Sequence, residues 1–231
     1  MTSHIDTSPD VCTGMLVDRH LHGRHRIWAV VAALGDNLAD AAFDLAASVG
    51  VMTGALDALK DLGDALTHNS YSERIEDALI APAELARLLI SHADPLRFIA
   101  TSPVYAAIDT ARRHDVALAR DTMPAYVLPG AMVYLLPDAP WARRVRGIFG
   151  NEIANARPTL AHAVVTVRED GDYGVSVRAP RASATDADLL CRQFGGDGRS
   201  AAAGITRLPR EQLRAFVARL GEIYCPDLKS R

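Results

Sequence analysis

Along the first half of the chain, apolar residues recur at the spacing of one helix face. The pattern predicts helices over residues 11–21, 39–49, 53–66, 82–92 and 105–120. Pro9 and Asp10 open the first of these, with Ser8 as its N-cap. Residues 27–34 form an unbroken apolar run, which fits a buried strand or a core helix, because periodicity does not separate the two. Gly35-Asp36-Asn37 ends that run, and Pro95, Pro103, Pro124 and Pro129 read as punctuation between elements.

After Pro129 the texture changes. Residues 131–136 read as a short apolar strand, and 141–156 as an amphipathic helix carrying Arg143, Arg144 and Arg146 and closed by Pro158. Two further strands, 161–167 and 173–178, flank Glu169-Asp170-Gly171-Asp172, a hairpin signal. A short helix over 186–194 leads into a glycine-rich loop, and Pro209 starts a last helix that runs to about residue 223. Strands alternating with helices, with a hairpin among them, predict a small α/β domain from roughly residue 125 onward.

Composition narrows the class. The 231 residues are 49% hydrophobic and 23% charged, with 25 Lys+Arg against 28 Asp+Glu, which excludes a disordered chain. The longest apolar run, 27–34, is too short to span a bilayer, and the polar start Met1-Thr2-Ser3-His4 lacks the apolar core of a signal peptide. Cys12, Cys191 and Cys225 are far apart and odd in number, as expected of reduced thiols in a cytoplasm. A net charge of −3 does not suit a protein that grips duplex DNA by bulk charge. Lys60 and Lys229 are the only lysines, so arginine supplies nearly all the positive charge. GC-rich codon usage accounts for that bias, and single arginines have to be argued by position.

The most informative stretch is Gly195-Gly196-Asp197-Gly198-Arg199 and its continuation to Gly204. Clustered glycines let the backbone take positive φ and approach a ligand closely, and successive amides in such a loop can converge on an anion. Arg199 would add a fork for a phosphate or carboxylate. A plain connection between helix and strand is the simpler alternative. Gln193-x-x-Gly196-x-Gly198 also fits the Q/R-x-x-G-x-G/A pattern with which acetyltransferases cradle the pyrophosphate of acetyl-CoA. That use needs a strand before the loop and an uninterrupted helix after it, and here Gly204 and Pro209 break any such helix.

With its neighbours, the loop resembles the DHHA1 domain of the DHH phosphoesterase superfamily, which includes RecJ-like nucleases, oligoribonucleases and exopolyphosphatases. The resemblance rests on Val175-Ser176-Val177-Arg178-Ala179-Pro180, then Ala187-Asp188-Leu189-Leu190, then the glycine loop with its Ala202-Ala203-Gly204 ending. Asp197 stands where that family has a glycine, and Arg199 where it has a histidine. The resemblance implies that Arg178, Gly195, Gly196, Gly198 and Arg199 hold a substrate phosphate. The first half is similar to the end of a DHH domain. His4-Ile5-Asp6 and residues 9–16 resemble its strand-then-helix, and residues 27–37 its later strand-and-turn, whose aspartate (here Asp36) binds Mn²⁺ or Mg²⁺. A helix N-cap is the alternative role for Asp36.

The chain contains neither Asp-His-His nor the D-x-D cluster of the family's first strand, and His20, His22 and His25 read as solvated. Two-metal phosphoryl chemistry needs several carboxylates and histidines, which Asp36 alone does not supply. The expectation is therefore an α/β protein lacking the opening third of the family. A mostly helical, truncated DHH-like domain would occupy residues 1–122, and a DHHA1-like substrate-binding domain with a mixed sheet residues 128–231. It would bind short nucleic acid, a nucleotide or polyphosphate in the cytoplasm, with doubtful hydrolytic activity. The alternatives are a catalytically inactive nucleic-acid or nucleotide module and an acetyltransferase. Apolar edges left by absent strands would favour a homodimer or self-association, with no membrane involved.

Overall fold

The computed structural model describes residues 5–6, 8, 10–70, 74–183 and 186–224. The expected features that involve His4, Pro9 and Cys225 lie outside these residues. The chain divides into two compact units, 1–114 and 115–231, a division that falls inside a helix rather than in the 122–128 connector.

The first unit is helical. It contains α1 (Thr13–His20), α2 (Arg26–Gly35), α3 (Ala39–Ser48), α4 (Thr53–Ser70), α5 (Pro82–Ile90), α6 (Pro95–Thr101) and most of α7 (Pro103–Arg120), with a 3-10 turn at Ile75–Asp77. The apolar run is α2, not a strand. Val30, Val31, Ala33 and Leu34 are all buried, against Leu59 and Leu62 of α4 and Phe98 of α6. A helix surrounded on several sides reads as continuously apolar, and Ala29, Ala32 and Ala33 favour helix over strand. Gly35 and Gly63 set the α2–α4 crossing, since a Cβ on Gly63 would lie 2.6 Å from the Val31 carbonyl oxygen. Asn37, with φ +61°, turns the chain away.

Two details of the first unit differ from expectation. Cys12, not Ser8, occupies the N-cap of α1, and it makes no side-chain cap bond. Pro95 and Pro103 do not separate helices but begin them, because a first-turn residue needs no amide partner. Asp94 completes the start of α6 by accepting from the Leu96 amide at 2.9 Å.

The second unit is a six-stranded mixed sheet in the order β1-β2-β3-β4-β6-β5. Its strands are β1 (Tyr126–Leu128), β2 (Ala131–Leu136), β3 (Ala161–Val167), β4 (Tyr173–Arg178), β5 (Asp197–Gly198) and β6 (Ala202–Leu208). Only β2 and β3 run parallel, joined through α8 (Pro140–Ala156), and every other pair is antiparallel. α9 (Ala187–Arg192) and α10 (Leu213–Tyr224), the latter after a 3-10 turn at Arg210–Gln212, pack on one face over Val133, Val165, Val175, Val177 and Ile205. α8 covers the other face, with Val145 and Phe149 against Leu136 and Val164. Among the described residues no helix is long and apolar enough to cross a membrane.

Candidate phosphate-binding end of the sheet

The site candidates of the second unit converge at one end of its sheet. The antiparallel β4–β6 ladder places Arg178 opposite Ala202. The β3–β4 hairpin sets His162 opposite Arg178, and β2 sets Met132 beside His162. Register partners share a face, so one row reads Met132, His162, Arg178, Ala202 and a second reads Tyr134, Val164, Ser176, Gly204, with Asp197 beyond. This is the face that α8 partly covers.

Arg178 is half-buried against α8. Its Nε donates to Oδ1 of Asn151 at 2.7 Å, and Nη1 to Oγ of Ser176 at 2.7 Å and to the Val177 carbonyl at 3.2 Å. Nη2 reaches the Gly147 carbonyl at 3.4 Å. Gly150 of α8 faces the same guanidinium: a Cβ built there would stand in ordinary contact, 3.8 Å from the Arg178 Cζ. One turn along α8, Oδ1 of Asn155 accepts from Arg181 at 2.6 Å. His162, 1% exposed, lies beside Arg178; burial pulls its imidazole down to about 4, and the charge of Arg157 acts in the same direction.

The glycine loop is a hairpin. Gly195 takes a left-handed φ of +76°, after which β5 folds back along β6. A Cβ on Gly196 would lie 2.2 Å from the Gly204 carbonyl oxygen and 2.8 Å from Cγ1 of Ile205. Gly198, with φ +151°, sits against Ala203, whose Cα would be 2.4 Å from an added Cβ. The amides of Gly195, Gly196 and Arg199 donate to the carbonyls of Arg192 (3.2 Å), Cys191 (2.8 Å) and Ala202 (2.9 Å). The Gly198 amide bonds the Asp197 carboxylate, which together with Arg192 holds that carboxyl below its usual range. These amides therefore do not form the converging nest expected from the sequence, because the last turn of α9, the Asp197 carboxylate and the β5–β6 turn engage them first.

What the hairpin presents is a side chain. Arg192 is bound at 3.2 Å by both Asp188 and Asp197. Arg199 is exposed, and its side chain meets no partner among the described residues. Its backbone closes a tight turn with Ala202 directly beside the end of β4. The two arginines singled out from sequence thus share one sheet end, but Arg178 is turned onto α8.

Asp36 is a different case. It is not at a strand end but at the C-cap of α2, and Leu38, not Asp36, holds the N-cap of α3. Its exposed carboxylate lies by Cys12, whose thiol is pushed up mainly by burial and further by this neighbour. Among the described residues no three His, Cys, Asp or Glu side chains form a group able to hold a metal ion, so they do not fit a Mn²⁺ or Mg²⁺ centre. His20, His22 and His25 are exposed. The acetyltransferase pattern also fails on geometry, since α9 precedes the loop and strand β6 comes after Gly198 where a helix start is required.

Asn151, Gly147, Gly150 and His162 do not stand out in the sequence. His162 is nonetheless within reach of sequence reasoning, because a hairpin closed between Val167 and Tyr173 necessarily pairs residue 162 with 178.

No protein-family model matches the sequence, and no curated protein matches it either. Solved structures do match. The DHH domain of a member of the s1p family of ribosomal proteins superposes with TM-score 0.54 at 14% identity, over 89% of this chain and 51% of that one. RecJ from Thermus thermophilus, solved with Mg²⁺, superposes with TM-score 0.54 at 20% identity, over 90% of this chain and 36% of that one. The present chain thus spans about half of the first of these structures and about a third of the second. The chain shares the fold of these structures, one of them a DHH domain and the other RecJ, and at these identities the likeness is one of fold alone.

Proposed function

We infer that the chain binds a phosphate-containing ligand, a short nucleic acid, nucleotide or polyphosphate, at the sheet end where β4 meets the Arg199 hairpin, and does not itself hydrolyse it. The observation that carries this reading is Arg199, an exposed cation without a partner among the described residues. It is held in place by a hairpin whose glycines admit no side chain at positions 196 and 198. Asp36, the aspartate that the resemblance assigns to a metal, stands instead at the C-cap of α2 beside Cys12, which supports binding over turnover. In this reading the protein works in a reducing cytoplasm, with Cys12 and Cys191 as buried free thiols. Exposed apolar side chains such as Met52 and Ile90, at 80% and 86%, supply the surface for self-association.

The test is fluorescence polarisation with a fluorescein-labelled single-stranded pentaribonucleotide, competed with inorganic tripolyphosphate. Binding that the competitor reverses is the expected result. An unchanged polarisation at millimolar protein in low salt would refute it.

A further inference from the structure

The resemblance gives Arg178 and Arg199 one task, but their surroundings differ. Four of the five N–H groups of the Arg178 guanidinium have acceptors in the fold, on Asn151, Ser176, Val177 and Gly147. Two of those acceptors, Asn151 and the Gly147 carbonyl, belong to α8. Arg181 repeats the arrangement one helical turn later on Asn155. A fork already engaged on both edges has no bidentate edge to offer an incoming phosphate without letting go of α8. Arg199 carries no such obligation.

Resting on the function proposed above, we propose a division of labour. Arg178 is a strut that fixes α8 to β4, and Arg199 alone supplies the cationic contact to the ligand. Recognition is then of a single phosphate group, whatever chain of nucleotides or phosphates continues from it. One neutralised phosphate on a single strand gives a slope of about −0.7 in log affinity against log salt, where two arginines would give about −1.4.

The experiment uses the pentaribonucleotide probe over a salt series, alongside thermal melting, for the full chain and for R199A, R178A, N151A and R178A/N151A. The expected wild-type slope is about −0.7. R199A should weaken binding tenfold or more and flatten the slope, with melting unchanged. R178A and N151A should each lower the melting temperature, R178A by roughly 5 °C, and the double variant should melt close to R178A. Both single variants should keep the wild-type slope. A flattened slope in R178A with unchanged melting would overturn the proposal, as would a wild-type slope near −1.4. Should R178A not fold, N151A decides by the same two readouts. If the wild type binds no probe, the functional reading fails, and the strut is judged on melting alone: non-additive losses sustain it and additive losses overturn it.

Discussion

The substitution Gly196→Ala separates a glycine needed for packing from one needed only for backbone freedom. The hairpin geometry leaves the added methyl 2.2 Å from the Gly204 carbonyl oxygen and 2.8 Å from Cγ1 of Ile205. Gly204 pairs with Ser176 on one side and Asp197 on the other, so its carbonyl cannot yield without disturbing two ladders. Overpacking of this kind costs about 1–3 kcal/mol, and a rigid backbone partner puts the value near the top of that range. Gly195→Ala is the control: φ is +76° but nothing lies within 4 Å, so the loss is the left-handed strain of about 1–2 kcal/mol and no clash. The assay is hydrogen exchange by mass spectrometry on peptides spanning residues 187–208. A loss of about 2–3 kcal/mol corresponds to exchange faster by roughly 30- to 150-fold. Gly196→Ala should exceed Gly195→Ala in β6 exchange. The reverse order, or no change for Gly196→Ala, would refute the packing role of the hairpin glycines.

In the first unit, Gly63→Ala should destabilise by about 1–3 kcal/mol despite its gain in helix propensity, because its Cβ meets the Val31 carbonyl at 2.6 Å; urea unfolding by circular dichroism reads this. His162 is held at about 4 in the fold against 6.5 in the unfolded chain, so the unfolded state binds the proton first. Stability from this group is complete above pH 6.5 and falls as the pH drops to 4, by up to roughly 3 kcal/mol. In His162→Gln the urea midpoint should therefore fall less steeply over that interval than in the wild type, and parallel curves would contradict it. Cys191 is fully buried, with its thiol pushed up to about 12, so iodoacetamide should label it only after unfolding; rapid labelling of the native protein would contradict the packing of α9.

Much of the second unit is legible in the sequence because its signals are local. The hairpin at Glu169–Asp172, strand 131–136 and helix 141–156 all follow from turn chemistry and periodicity within single segments. β1 and β5 are not legible, since three- and two-residue strands carry no periodicity and exist only because β2 and β6 offer them edges. Strand β6, in contrast, is announced by Gly204 and the β-branched pair Ile205-Thr206, which oppose a helix after Gly198. α2 cannot be decided from its own letters, because burial on several sides erases the polar face that marks a helix. α6 is hidden when Pro95 is read as a stop, whereas it is a start. At the site, the resemblance implies one phosphate for Arg178 and Arg199, but the direction of the Arg178 guanidinium depends on Gly147 and Asn151, residues distant from it in sequence.

The central claim, retention of a phosphate ligand without its cleavage, is tested most directly by incubating the purified 231-residue chain with 5′-labelled pentaribonucleotide and Mn²⁺. Polarisation and product are followed in the same sample. Stable, tripolyphosphate-reversible polarisation with no shorter product is the result expected from Arg199 and the described donor set. Metal-dependent product formation that Asp36→Ala abolishes would contradict it.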